Sequence, residues 1–240
     1  MKDRNNSCKK TRYTIDYYNN KWEKYDYEKV KSRVQNFKPL SEKILNLINI
    51  QNSMKILDIG TGPGTIPIAI MDKFNKNFNI YGIDPSPISI SLAKKIMNKF
   101  GLQKGIKLKV GSFENIPFPE NSFDLVISNA SFNLCTDKIK AIDEISRVVK
   151  KPGQIIIADC FKKGENCQIV DDNGKLWAHC ISGAITIEWL VDKFKAKNII
   201  LKQKINLTKI VKSLILSDKW KWKEFIEYNL DYYSLLFSLE

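Results

Sequence analysis

Asp58 and three alternating glycines stand together in the run Ile56-Leu57-Asp58-Ile59-Gly60-Thr61-Gly62-Pro63-Gly64. Glycines at this spacing allow a tight turn and let a ligand approach the backbone where a Cβ would clash. A dinucleotide site would read G-x-G-x-x-G and place a pyrophosphate on a helix N-terminus, where the carboxylate of Asp58 has the wrong sign. Asp84 follows Gly64 by 20 residues, at the end of a second apolar run. A carboxylate leaving that strand beside the glycine turn can accept both hydroxyls of a ribose, so the pair of signals points to a nucleoside ligand without a pyrophosphate. The plainer readings are an ordinary glycine turn for the first signal and a helix cap before Pro85-Ser86-Pro87 for the second.

His179 is the only histidine, so a general base of near-neutral pKa would have to be this residue. A packed histidine beside Trp177 is the alternative. Cys8, Cys135, Cys160, Cys167 and Cys180 are odd in number and form no CxxC pair. Neither a disulfide framework nor a zinc site is expected, only reduced thiols.

The elements that must position these groups alternate along the chain. KILDIG, NIYGID, IKLKVG, FDLVISN and QIIIAD are short β-branched runs, separated by helical stretches such as SPISISLAKKIMNKFG and DKIKAIDEISRVVKKPG. Alternation of this kind gives a parallel sheet wound on both faces by right-handed crossovers. Gly101 and Pro152-Gly153 read as helix stops. Residues 1–53 read as a helical cap with Tyr13, Tyr17, Tyr18, Trp22, Tyr25 and Tyr27 interleaved among charges, and with a helix beginning after Pro39 and capped by Ser41. Residues 54–240 form the main domain. Within it, residues 161–184 carry too many turn formers for one element and are expected to run over the sheet edge or the site. A helix near Thr186 to Phe194, a strand near Asn198 to Ile205 and a closing strand in YYSLLFSLE complete the pattern, with a terminal amphipathic helix as the alternative.

The 240 residues are 43% hydrophobic and 27% charged, enough for one sizeable core and too apolar for disorder. No apolar run reaches the roughly 20 residues of a membrane span. The start MKDRNNSCKK lacks the apolar stretch of a signal peptide, so the cytoplasm is the expected location. The net charge is +13, yet only Arg4, Arg12, Arg33 and Arg147 are arginine. A surface charged by lysine favours compositional bias over a nucleic-acid surface, where arginine forks dominate. The KWKWKEFIEYN segment is read likewise as lysines snorkelling beside core aromatics.

ILDIGTGPG, IYGIDPSP, GSFENIPFPENSFDLVISN and DEISRVVKKPGQIIIAD together resemble the class I S-adenosylmethionine-dependent methyltransferases, within the group that methylates ubiquinone, sterols and arsenite. The resemblance implies a Rossmann-like three-layer α/β/α sandwich whose seven-stranded, mostly parallel sheet has the order 3-2-1-4-5-7-6 and an antiparallel last strand. It implies that Asp58, Gly60, Thr61, Gly62 and Gly64 lie against the methionine and ribose of S-adenosylmethionine, with Asp84 and Pro85 at the ribose. Ser112 and Phe113 would flank the adenine, and Asn129 would sit under the sulfonium. The N-terminal aromatic cluster itself reads as helix packing, as a wall for an apolar acceptor, or as a lid over the cofactor, for which Tyr17 and Tyr18 are the candidates. Where the family commonly reads Gly-Asp-Ala, this chain has Gly111-Ser112-Phe113, so a hydroxyl replaces the usual adenine-binding carboxylate. SNASFNL and WAHCISGA resemble the arsenite-methylating branch more narrowly. They place Asn133, His179 and Cys180 at the acceptor, with Cys180 matching one of that branch's thiols. That branch's other cysteines, in the early helical and C-terminal regions, are missing here. The implied activity is methyl transfer to a small organic acceptor with release of S-adenosylhomocysteine. An RNA or protein methyltransferase, an arsenite or thiol-directed enzyme, and a non-catalytic cofactor-binding module are the alternatives.

Overall fold

The structure is a computed structural model that describes residues 2–51, 53–74, 79–164, 169, 171, 174–219 and 222–240, with side chains from residue 9 onward. Two helices, α1 (Lys2–Trp22) and α2 (Tyr27–Leu45), precede the sheet. The alternation then runs β1 (Lys55–Ile59), α3 (Thr65–Phe74), β2 (Asn79–Asp84), α4 (Pro87–Lys99), β3 (Ile106–Val110), β4 (Phe123–Asn129), α5 (Lys138–Val148) and β5 (Val149–Phe161). After the excursion, which carries the short α6 (Lys175–Ala178), come α7 (Ile187–Lys195), β6 (Ile199–Asn206), α8 (Thr208–Leu216), α9 (Lys223–Glu227) and β7 (Asp231–Leu239).

The seven strands are ordered β3-β2-β1-β4-β5-β7-β6, with β7 antiparallel to both β5 and β6. This is the expected sandwich. Successive residues of each strand face opposite layers: Ile56, Leu125, Ile127 and Ile156 join one buried cluster, while Leu57, Val126, Ile155 and Ile157 join the other. Strands buried on both faces are continuous apolar runs in sequence, which is why they were recognisable. Between β1 and β4 the winding direction reverses, so the loops leaving their carboxyl ends diverge and leave a crevice there.

Two helix boundaries differ from expectation. α2 does not start at Ser41: Asp26 caps it by accepting from the Lys29 amide, and the helix passes through Pro39. Proline costs the helix one hydrogen bond, but Val30, Phe37, Leu40 and Ile44 bury a continuous stripe that outweighs it. At the other site, α5 ends at Val148 and β5 begins at once, so Pro152-Gly153 lies inside a strand rather than at a helix stop. Gly101 does follow α4 at φ 71°, as a C′ glycine should. Among the described residues, no helix is long and apolar enough to cross a membrane.

Candidate functional site

A cavity opens at the carboxyl ends of β1 to β4, under a roof formed by α1, α2 and Trp222. Its floor is the glycine turn. Gly60 and Thr61 both donate to the Ile83 carbonyl (2.8 and 2.9 Å), which ties the turn to the end of β2. The Gly62 amide donates to Asp84 Oδ2 and the Ser86 amide to Asp84 Oδ1, each at 2.9 Å. Asp84 therefore has both oxygens fixed in orientation at the wall of the cavity. A Cβ on Gly62 would point at the Trp22 ring, 3.6 Å from its edge, so this glycine keeps the space between floor and roof open.

Asp58 is 2% exposed, and its Oδ2 has no full hydrogen-bond partner, only a weak interaction with the Thr61 side chain beside it. Buried polar atoms of this kind are rare because each costs its full desolvation energy. Burial, with Asp84 adding its charge, pushes the Asp58 carboxyl up to about 7, and burial lifts Asp84 to about 6. Two carboxyls raised by desolvation at one opening await cationic or hydrogen-bond-donating groups.

At the ends of β3 and β4, Ser112 pairs its backbone with Asn115, and Phe113 stands edge-on to Phe132 with ring centres 5.5 Å apart. Asn129 Oδ1 accepts from the buried Tyr232 hydroxyl at 2.9 Å, which orients the amide at the crevice. Glu114, which sequence reasoning passed over, also lines the cavity and accepts from Cys135 Sγ and the Thr136 amide. Ser131 was missed too. Its hydroxyl donates to the Ile59 carbonyl at 2.8 Å and fills the space in which a Gly60 Cβ would lie.

The roof is held by hydrogen bonds from α1. Tyr17 Oη meets His179 Nε2 at 2.9 Å, the Tyr18 hydroxyl donates to the Ala178 carbonyl at 2.9 Å, and Asn19 bonds the Ser86 hydroxyl. His179 Nδ1 lies 3.3 Å from Glu224 Oε2, and Lys175 reaches the other Glu224 oxygen at 2.7 Å. Burial lowers the His179 pKa against the pull of Glu224, so the ring is neutral at pH 7 and both its nitrogens are engaged. The cavity is lined by Tyr18, Asp58, Gly60, Thr61, Gly62, Asp84, Pro85, Ser112, Phe113 and Asn129 among the expected residues. Tyr17, Gly64, Asn133, His179 and Cys180 stand behind its walls. Gly64 sits where a Cβ would strike Met97, and the Asn133 amide donates to the Cys160 carbonyl at 2.7 Å.

The cysteine geometry is that of packed thiols. Cys160 Sγ donates to the Cys180 carbonyl (2.9 Å) and Cys180 Sγ to the Ala130 carbonyl (3.3 Å), and burial pushes all three described thiols up. A thiolate ligand set needs the opposite shift. Among the described residues no group of three or more His, Cys, Asp or Glu could hold a metal; Cys167, the Cys8 side chain and Trp220 lie outside them.

A family model described as a methyltransferase domain matches residues 50–228. The chain belongs to the class I methyltransferase family. Arsenite methyltransferase from Mus musculus is 29% identical over 139 residues, which cover 55% of this chain and 37% of that protein. A ubiquinone/menaquinone biosynthesis C-methyltransferase from Citrifermentans bemidjiense is 31% identical over 112 residues, 47% of this chain and 48% of its own length. The chain thus spans less than half the length of these curated relatives. Among solved structures, geranyl diphosphate C-methyltransferase from Streptomyces coelicolor A3(2) superposes with a TM-score of 0.72 over 84% of this chain and 79% of that one, at 14% identity. At that identity the likeness concerns the fold. S-adenosylmethionine is the cofactor of the methyltransferase family, and the residues present fit it: a buried carboxylate oxygen at Asp58 without a full hydrogen-bond partner, an oriented carboxylate at Asp84, and a glycine without a Cβ between them.

Proposed function

We propose that this methyltransferase transfers a methyl group from S-adenosylmethionine to a small organic acceptor. The observation that carries the reading is the pair Asp58 and Asp84, both desolvated, facing one cavity whose floor is Gly62. Asp84 holds the ribose hydroxyls, Asp58 and Thr61 take the ammonium of the methionine part, and Phe113 with Ser112 borders the adenine. When bound, the cofactor supplies a sulfonium whose electrophilic methyl passes to an acceptor lone pair, leaving S-adenosylhomocysteine. The chain's own contribution is positioning. Asn129, held by Tyr232, faces the reacting end, and the roof of Tyr18 and Trp22 excludes water and presents ring faces to positive charge. Roofing by α1 and α2 supports a small acceptor over a macromolecular one.

Calorimetric titration with S-adenosylmethionine and S-adenosylhomocysteine tests the reading. Micromolar binding of both supports it, and no heat from either under conditions where the protein is folded removes it.

The raised carboxyls add a pH signature. Asp84 near 6 and Asp58 near 7 are partly protonated in the free protein, whereas a bound ammonium and two hydroxyls favour the ionised forms. Binding therefore releases protons, and S-adenosylhomocysteine affinity should rise as pH climbs through 6 to 7, then level off. Asp58→Asn should flatten the upper part of the rise. A wild-type affinity constant from about pH 5 to about pH 8 contradicts the assignment of these carboxyls.

A further inference from the structure

Resting on the methyltransferase reading of this cavity, we propose that the methyl acceptor is an anion and that the Lys21 ammonium holds its carboxylate or phosphate. Two cations line the opening, Lys21 from α1 and Arg33 from α2, in the cavity that Asp58 and Asp84 also line, and neither cation forms a salt bridge with a carboxylate among the described residues. Both lean on aromatic rings instead. Lys21 Nζ lies 4.8 Å from the Trp22 ring centre, and the Arg33 guanidinium lies 4.4 Å from that of Phe37 and bonds the Tyr25 side chain, while its Nε is buried without a partner. Placing like charges together in a partly desolvated wall is unfavourable unless an anion joins them. Burial and Arg33 push the Lys21 ammonium down to about 7, the signature of a cation without its counter-ion.

The cofactor brings one carboxylate, which leaves one cation over. Arg33, on α2, reaches the Trp22 ring, 5.6 Å from its centre, and its side chain bonds Tyr25. Lys21 lies against the same Trp22 ring, at 4.8 Å, and its charge also acts on His179 and Cys180. Cys180 in turn donates to the carbonyl of Ala130, the residue after β4, which is the side where the acceptor approaches Asn129. A net charge of +13 raises the local concentration of small anions further.

An anion near Lys21 could come from the cofactor or from the acceptor, and the test separates them. Inorganic phosphate is titrated calorimetrically into the protein, free and saturated with S-adenosylhomocysteine, for wild type, Lys21→Met and Lys21→Arg. S-adenosylhomocysteine and 5′-methylthioadenosine, which lacks the amino-acid part, are titrated in parallel. The expected result is phosphate binding to the saturated protein that weakens about tenfold in Lys21→Met and is retained in Lys21→Arg, while S-adenosylhomocysteine affinity moves less than about threefold. Phosphate affinity that is absent, or unchanged in Lys21→Met, overturns the proposal. So does a loss of S-adenosylhomocysteine affinity in Lys21→Met that 5′-methylthioadenosine does not share, because it assigns the ammonium to the cofactor carboxylate. Should wild type bind no S-adenosylhomocysteine, the methyltransferase reading fails by itself, and phosphate binding to the free protein decides the Lys21 site by the same variants.

Discussion

Asp84→Ala is expected to weaken S-adenosylhomocysteine binding by about a hundredfold or more while leaving the protein folded. The magnitude follows from what the carboxylate does. It can accept two ribose hydroxyls through charge-assisted hydrogen bonds, each worth roughly 1.5–3 kcal/mol. It also fixes the Gly62 and Ser86 amides at 2.9 Å, so the floor of the cavity loses its shape along with its ligand. The fold tolerates the change because burial already lifts Asp84 to about 6, and removing a desolvated charge offsets the two amides left unpaired. Asp84→Asn serves as the comparison. Its single carbonyl oxygen can satisfy one amide or one hydroxyl at full strength, so its affinity should fall between wild type and alanine. Titration calorimetry with circular dichroism on all three proteins reads the outcome. An alanine variant that is folded and binds within about threefold of wild type would remove Asp84 from the site.

Much of this site was legible because it is local in sequence. Asp58, the glycine turn and Asp84 each sit at a strand end, and a β-branched run followed by glycine or proline reveals a strand end without any tertiary knowledge. The sheet order was legible at one remove, through the resemblance of those same segments to a family. The roof was not legible in this way. Lys21, Trp22 and Arg33 meet at the cavity only because α1 packs on α4 and α6 while α2 packs on α3 and α8, and no spacing within either helix encodes that packing. The misplacement of the start of α2 has the same origin. Pro39 is a local stop signal, and it was overridden by a buried stripe that exists only once α2 lies against α3 and α8. His179 is legible as a single histidine, but its contacts are not. Its uniqueness made it stand out as a base, yet its nitrogens bind Tyr17 and Glu224, contacts made across 162 and 45 residues of chain that pin the roof.

Gly60→Ala should destabilise the protein by about 2–5 kcal/mol, the largest loss expected from adding one methyl group at the site. Two separate causes add here. Gly60 has φ 75°, where an L-residue costs roughly 1–2 kcal/mol. A Cβ there would also lie 2.4 Å from both Cβ and Oγ of Ser131, an overlap worth a further 1–3 kcal/mol or so. Ser131 cannot swing aside cheaply, because its hydroxyl is committed to the Ile59 carbonyl at 2.8 Å and to Ser128 Oγ at 2.9 Å. The causes separate in a double-mutant cycle. Ser131→Gly removes the obstacle but leaves the backbone conformation, so Gly60→Ala in that background should cost only the conformational part, and the two substitutions should couple favourably by more than about 1 kcal/mol. Denaturant unfolding of the four proteins measures the coupling. Additive losses would show that the turn relaxes away from Ser131, and that the glycine at position 60 serves backbone conformation alone.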